Sequence, residues 1–289
     1  MAVRILLKTT VGPVEDDWNI GRFSLLENYL AALRDESGNA LYTVTAANRI
    51  ETRLGDDSDF EAMAAGAYDQ LWLFAVDATG TLTEADAARI TIFRERGGSI
   101  FLTRDHQDLG ASLTRLGGIG VTQHFHSVNP EPDSARHRRD DTATPSISWP
   151  NYHSGADGDL QTVEITQPLH PLMQGPSGAP IRHLPAHPHE GVVGVPTEFA
   201  AFARVVARGR SKTSGVSFDL CVAVDEPGLG RVVSDSSYHH LCDYNWDPRR
   251  GCPSLVDEPP GDAVLRDPNA LADTYMYVRN IAAWLDGRI

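Results

Sequence analysis

Two segments of the sequence combine histidine with aspartate in a pattern that suits acid–base chemistry. Residues 104–108 read RDHQD, and residues 235–240 read DSSYHH. A neutral imidazole can act as a general base near pH 7, and an adjacent carboxylate can orient it and raise its basicity. The two segments are therefore the first candidates for a site that moves protons.

The first segment offers several groups around one histidine. Either Asp105 or Asp108 could orient His106, and Arg104 could hold an anionic or carbonyl oxygen of a substrate. A structural alternative stays open, because an aspartate at this position could simply cap a helix that follows. We predict catalytic roles for all four side chains.

The second segment places His239 and His240 side by side. In a strand-like segment adjacent side chains point to opposite faces, so only one of the two can reach a shared site. The orienting carboxylate for that histidine would come from Asp235 or Asp243. The other histidine is expected to be packed or hydrogen-bonded.

Metal binding is the rival interpretation of the same residue types. Histidine, aspartate and thiolate side chains are good ligands for zinc or a similar divalent ion. His124 and His126 are alternate residues, so on a strand both would project from one face. We predict them as the best metal-binding pair, although no CxxC pair or HExxH motif accompanies them. Further possible ligands occur at His106, His137, His187, His189, Glu190, His239, His240 and Cys242.

The first third of the chain predicts a scaffold for these segments. Its apolar runs predict strands at residues 3–7, 41–45, 68–76 and 99–103. Helical spacing and end signals predict helices at residues 22–33, from 83 to about 96, and at 108–116. This alternation implies right-handed βαβ units and a parallel sheet, whose ligands sit beyond the carboxyl ends of the strands.

The rest of the chain returns to strand signals after a long irregular stretch. Strands are predicted at residues 162–165, 202–206, 216–224 and 230–234, and a closing helix at 275–285. Residues 127–160 are rich in Pro, Asp, Ser, Arg and His and show no periodicity, which predicts a surface excursion. Its role as a functional lid or as a disordered segment stays open. We predict one α/β domain over residues 1–289, with a mostly parallel, flavodoxin-like central sheet flanked by helices.

Four segments, in this order, resemble the trehalose-utilization (ThuA-like) family, within the class I glutamine amidotransferase-like superfold. The first is the strand–helix–Gly-Gly–strand unit from YDQLW (68–72) to RERGGSIFL (94–102). The others are HPLMQG (170–175), similar to an HPI-x-x-G segment, GRVVSDSSYH (230–239), similar to a GRV strand that ends in histidine, and VRNIAAW (278–284).

The resemblance implies a site and also limits its chemistry. It favours His239 over His240 as the reactive histidine, because His239 falls on the family position. Family members often carry a histidine directly after the Gly-Gly strand, whereas His106 sits slightly later. Amidotransferases place a nucleophilic cysteine in that turn, and this chain has none there. Cys–His glutaminase chemistry is therefore not expected, and the family's association is with carbohydrate metabolism.

The composition of the chain limits the classes of partner that we expect. The chain of 289 residues has a formal net charge of −14, which argues against nucleic acid as the main partner, since phosphate binding needs a basic surface. No secretory signal and no apolar stretch of membrane-spanning length is visible, so we predict no membrane partner and a cytoplasmic location. Three cysteines, an odd number, fit a compartment where thiols stay reduced. A homo-oligomer is possible.

Two hypotheses follow. The first is a hydrolase, lyase or isomerase that acts on a polar, carbohydrate-derived small molecule by His/Asp acid–base catalysis, with or without a divalent metal. The second is a non-catalytic module that uses the same strand-end pocket to bind a ligand or a partner. Catalysis requires at least two of the named groups within reach of one point, so the geometry of the histidines separates the two hypotheses.

Overall fold

We describe the protein from a computed structural model. It describes residues 1–13, 17–78, 80–138, 160–185, 191–210, 217–254, 256 and 259–289. The strands are β1 (Val3–Thr9), β2 (Tyr42–Ala47), β3 (Gln70–Phe74), β4 (Ser99–Thr103), β5 (Gln123–His124), β6 (Leu160–Thr162), β7 (Glu164–Ile165), β8 (His183–Pro185), β9 (Val192–Val193), β10 (Ala203–Arg210), β11 (Ser217–Val224) and β12 (Val232–Asp235). The α-helices are α1 (Ser24–Ala32), α2 (Ser58–Ala64), α3 (Glu84–Glu95), α4 (Asp243–Trp246), α5 (Ala263–Arg266) and α6 (Pro268–Leu285).

A large central sheet organises these elements. Its strand order is β2-β1-β3-β4-β12-β11-β10-β7 among the described residues. The pairs from β2 to β12 are parallel, and the pairs from β12 to β7 are antiparallel. The predicted fold class, a mostly parallel α/β sheet flanked by helices, is confirmed. The antiparallel edge is formed by β12, β11, β10 and β7, and the described connection from β11 to β12, residues 225–231, contains no helix.

The two faces of the sheet bury separate cores, because successive strand residues point to opposite sides. Trp72 and Phe74 pack with apolar side chains of α1 and α6, whereas Leu71 and Leu73 pack with those of α2 and α3. All five residues of β3 and of β4 are buried, as expected for strands covered on both faces. Helices on both faces therefore fix the central strands whose ends carry the candidate site.

Local signals predicted several elements well. The helix predicted from residue 83 begins with a capping box formed by Thr83 and Asp86, and β4 spans the predicted residues 99–103. Two differences stand out. The predicted helix at 108–116 is a 3-10 helix over Ala111–Thr122, and α2 was not predicted at all.

The irregular stretch after residue 127 is only partly described. Residues 134–136 form a short 3-10 helix, and β6 begins at Leu160, while residues 139–159 lie outside the described residues. The one-domain organisation stays a prediction. In the described parts of the chain, no helix is both long enough and apolar enough to cross a bilayer.

Candidate active site

The two histidine-bearing loops lie next to each other. They follow β4 and β12, which are parallel neighbours in the middle of the sheet, with Thr103 opposite Asp235. Parallel strands end at the same edge of a sheet, so the segments that leave them meet there. The strand order therefore brings the two histidine-bearing segments together.

One carboxylate contacts both candidate histidines. Oδ2 of Asp105 lies 2.8 Å from Nδ1 of His106 and 3.3 Å from Nε2 of His239. Asp105 and His239 are fully buried, and His106 is 4 % exposed. The loops after two different strands, 134 residues apart in sequence, are therefore joined through a single side chain.

The electrostatics of this cluster favour an ionised carboxylate. Burial alone would raise the pKa of Asp105, but the two neighbouring imidazoles more than offset burial and hold that pKa well below its usual value. A carboxylate only accepts hydrogen bonds, so the favourable arrangement has a proton on Nε2 of His239 and on Nδ1 of His106, the nitrogens that face it. In the neutral rings the lone pairs then lie on Nε2 of His106 and Nδ1 of His239.

Arg104 is buried within its own loop. Its Nη1 donates to the carbonyl oxygens of Asp105 and Gln107, and its Nη2 donates to that of His124. Its guanidinium also lies over the ring of Phe125, 4.1 Å from the ring centroid. These contacts do not support the predicted role of an anion holder, because the planar fork is directed at backbone carbonyls. Arg104 instead holds the loop that carries Asp105.

The same loop contains an unusual backbone conformation. Gln107 has φ of +52°, the one positive value at a non-glycine residue among those described. Such conformations are uncommon and tend to occur in functional loops. The positive φ of Gln107 and the hydrogen bonds of Arg104 indicate that contacts within the loop after β4 fix its shape.

Asp108 stabilises a different segment. Its carboxylate accepts hydrogen bonds from the backbone N–H groups of His126 and Ser127, each at 3.0 Å, and from the Ser127 hydroxyl. The carboxylate beside His106 is Asp105, so the predicted orienting role belongs to Asp105. The contacts of Asp108 show neither that role nor the helix cap considered as the alternative.

Asp235 is hydrogen-bonded to His240. Its Oδ1 accepts from Nδ1 of His240 at 2.8 Å, and its Oδ2 accepts from the hydroxyl of Tyr277 at 2.6 Å. The prediction that Asp235 or Asp243 orients His239 is wrong, because Asp105 occupies that position. The expectation of a hydrogen-bonded His240 is confirmed. Residues 238–240 form a 3-10 helix and not a strand, so strand alternation does not govern their directions.

Asp243 anchors the start of α1. Its Oδ1 accepts from the N–H of Leu25 at 2.8 Å, and its Oδ2 accepts from the Ser24 hydroxyl at 2.6 Å. A carboxylate at a helix N-terminus satisfies donors that lack partners within the helix. Asp243 therefore joins α4 to α1.

The predicted metal pair does not form a ligand set with other described residues. Nδ1 of His124 accepts from the backbone N–H of Arg138 at 3.1 Å, and a Cβ added at Gly194 would collide with its Nε2. His126 lies beyond the end of β5, where its backbone binds Asp108. Among the described residues, no group of three or more His, Cys, Asp or Glu side chains is arranged to hold a metal ion. His187, His189 and Glu190 lie outside the described residues.

A small two-stranded sheet covers the cluster. In it β5 pairs with β9, and Nε2 of Gln123 donates to the carbonyl oxygen of Asp235 at 3.2 Å. Gly191 precedes β9, and a Cβ added there would lie 2.8 Å from the carbonyl oxygen of Asp105 and closer still to that of Ser236. A glycine at position 191 thus permits the close approach of the cover to both loops.

Aromatic side chains border His239, and sequence reasoning missed one of them. Trp18 stands edge-on to the imidazole with ring centroids 5.0 Å apart, and Tyr238 stacks on it at 4.7 Å. Tyr244 lies 6.0 Å from Trp18. Trp18 belongs to the loop after β1, so only the strand order could have placed it here; no local motif marks it.

Two of the larger surface cavities lie elsewhere. One of about 490 Å³ is lined by Arg182, Asp267 and Asp273 near the start of α6. Another of about 630 Å³ is lined by Glu131 and Glu198, among other residues. We place the candidate site at the His–Asp cluster because imidazole and carboxylate side chains are in contact there. Among the described residues that line the two cavities, His183 binds Asp273 through its backbone N–H and not through its ring.

Comparisons with known proteins bear on the fold alone. No family model matches the chain, and no curated protein matches it significantly. The structure titled "mmIFT52 N-terminal domain" superposes with a TM-score of 0.51 at 9 % identity, covering 98 % of this chain and 97 % of that one. A Trypanosoma brucei CTPS glutaminase domain with bound acivicin superposes less closely, with a TM-score of 0.44 at 14 % identity over 98 % and 93 % of the two chains. At these identities we take nothing about activity from either structure, and the ThuA-like assignment stays a prediction.

Proposed function

We propose that this protein is a cytoplasmic enzyme that acts on a polar small molecule by acid–base catalysis, as a hydrolase, lyase or isomerase. The observation that carries the proposal is the contact of one buried carboxylate, Asp105, with His106 and His239. Titratable groups that are buried together at strand ends, with a strongly shifted pKa, are typical of active sites. A carbohydrate-derived substrate is the first class to test.

The roles follow from the proton positions. His239 acts as general base or acid, and His106 is its partner in moving a proton to or from the substrate. Asp105 orients both rings and stabilises whichever imidazole is protonated during the reaction. Since the chain has no cysteine between Ser99 and Leu109, covalent catalysis through a thiolate in that turn has no part in this mechanism.

A non-catalytic binding module is the second candidate, and one observation favours it. His239 and Asp105 have no exposed surface, and His106 has little. A site this enclosed can hold a ligand without turning it over, and a fold alone does not decide between the two. The catalytic proposal is preferred because both imidazoles contact the same carboxylate oxygen.

The test is turnover of small molecules by the purified full chain. We would incubate the wild type with a cell extract of polar metabolites and with a panel of sugars, and follow substrate loss and product gain by mass spectrometry. His239→Ala and His106→Ala are expected to lower turnover at least 100-fold, in line with the loss of a general acid or base. The matched control is His183→Ala in β8, which is expected to retain activity.

Three outcomes decide between the candidates. Loss of turnover in both cluster variants, with unchanged circular dichroism, supports the enzyme. A fully active His239→Ala variant overturns the assignment of the site. Ligands that bind the wild type and are never converted favour the binding module.

A further inference from the structure

Three buried carboxylate and amide oxygens around the cluster have no hydrogen-bond donor among the described residues. They are Oδ1 of Asp105, Oε1 of Gln123 and Oδ1 of Asn245. Asp105 and Gln123 are fully buried, and Asn245 is 1 % exposed. A buried polar atom without a partner costs roughly 1–3 kcal/mol, so three of them near one site point to a ligand that satisfies them.

The orientation of both amides is fixed by their neighbours. Nδ2 of Asn245 donates to the carbonyl oxygen of His239 at 2.8 Å, and Nε2 of Gln123 donates to that of Asp235 at 3.2 Å. Backbone carbonyl oxygens only accept, so the amide nitrogens must face them and the amide oxygens must point away. The third oxygen belongs to an ionised carboxylate, which also accepts only. All three unused groups are therefore acceptors.

Two of these residues contact the histidine segments directly, and the third contacts the end of β12. Asp105 links His106 to His239, Asn245 binds the backbone of His239, and Gln123 lies in the cover over the end of β12. The hydroxyl of Tyr244 can donate or accept, so it does not change this balance; burial raises its pKa and keeps it protonated. Three acceptors at one site favour a ligand that donates hydrogen bonds over an anion, which brings only further acceptors.

Arg104 is a buried cation in the same loop as Asp105 and His106. The guanidinium of Arg104 donates to backbone carbonyl oxygens of its own loop and of His124. A phosphate or carboxylate of a ligand would place its own acceptor oxygens against the buried acceptors of Asp105, Gln123 and Asn245. The net charge of the chain, −14, would also repel an anion. Like-charge and acceptor–acceptor contacts are a common way to reject a wrong ligand.

We propose that the site selects a neutral or cationic ligand whose hydroxyl or amino groups donate to Asp105, Gln123 and Asn245, and that it rejects phosphorylated and carboxylated analogues. This inference rests on the proposed active site and specifies its substrate class. Hydroxyl and ammonium groups share the required donor chemistry, and the experiment separates them.

The experiment measures binding by the full-length protein to a matched set of probes. The set contains glucose, glucosamine, glucose 6-phosphate and gluconate, together with glycerol and glycerol 3-phosphate, each titrated by calorimetry up to 10 mM. We expect at least one neutral or amino probe to bind at least about tenfold more tightly than its anionic counterpart, a factor that corresponds to about 1.4 kcal/mol. Tighter binding of glucosamine than glucose identifies an ammonium site, and the reverse identifies a hydroxyl site.

Two variants test whether the ligand binds at Gln123. Gln123→Met removes one acceptor at similar volume and is expected to weaken binding about tenfold, in line with the loss of one or two hydrogen bonds. Gln161→Met is the matched control, because Gln161 is also buried but lies in β6. If Gln123→Met does not fold, the comparison of probes on the wild type still decides.

Two results overturn the inference. One is an anionic probe that binds as tightly as its neutral counterpart, and the other is an absence of binding by every probe. These results differ from a failure of the proposed function, which would appear as donor-selective binding without turnover.

Discussion

The chemistry of the site depends on the single carboxylate of Asp105. Replacing Asp105 would remove the negative charge that both imidazoles contact. Loss of one partner of a buried charge pair usually costs several kcal/mol. The carboxylate also fixes which nitrogen of each ring carries a proton. Asp108 and Asp235 have the same residue type in the same two segments, yet they bind backbone N–H groups and His240. The sequence could identify the group of candidates but not the partner of each one.

His124 provides a residue-scale test that does not depend on activity. Burial, assisted by Arg104 and Arg138, lowers the pKa of His124 from 6.5 to about 4. The ring is therefore neutral in the folded chain over a pH range where it is protonated in the unfolded chain. The stabilisation of the folded chain by the buried, neutral His124 ring is complete above pH 6.5 and is lost as the pH falls towards 4.

We expect the free energy of unfolding to decrease between pH 6.5 and pH 4, with up to about 3 kcal/mol of the decrease due to His124. His124→Gln should show a shallower decrease over this range in urea titrations. His126→Gln, two residues away in sequence, is the control. Equal slopes for wild type and His124→Gln would contradict the buried environment assigned to this ring.

At the scale of elements, the end of β1 is held by a buried charge network. Nζ of Lys8, at the end of β1, lies 2.9 Å from Oδ2 of Asp57 and donates to the carbonyl oxygen of Asn48 at 2.7 Å. Lys8 and Asp57 are fully buried. Asp57 also caps α2 by accepting from the N–H of Asp59. The network thus joins β1 to α2 across the loop that follows β2.

Lys8→Met is expected to destabilise the chain by about 3–5 kcal/mol, because it leaves the buried carboxylate of Asp57 without its cation. Chemical denaturation followed by circular dichroism measures the loss. The matched control is Arg4→Met on the same strand, since the Arg4–Asp69 pair is solvent-exposed and is expected to contribute little. Equal losses in the two variants would show that burial of the Lys8 network does not matter.

Elements with local signals could be predicted, and elements that depend on distant contacts could not. Thr83 and Asp86 specify the start of α3 through neighbours in sequence. By contrast, α2 is a seven-residue helix capped by Asp57, which in turn is held by Lys8 from β1. The predicted strand ends at residue 234, and the strand alternation applied to His239 and His240 fails because residues 238–240 form a 3-10 helix capped by Ser237.

At the scale of the whole molecule, the order of strands creates the site. Because β4 and β12 are neighbours, Asp105 meets His239, and β1 brings the loop with Trp18 to the same region. The strand–helix alternation predicted the parallel sheet and the edge at which the site lies. It could not predict the position of β12, since that requires the pairing of strands separated by more than a hundred residues.

The central claim is that Asp105 orients both His106 and His239, and nitrogen-15 spectroscopy of the histidine rings tests it most directly. In the wild type at neutral pH, we predict that His106 carries its proton on Nδ1 and His239 carries its proton on Nε2. In Asp105→Asn the ring resonances of both residues should change, whereas His240, held by Asp235, should keep its Nδ1 proton. Coordinated changes of His106 and His239 would establish one shared site; an unchanged spectrum for either ring in Asp105→Asn would contradict it.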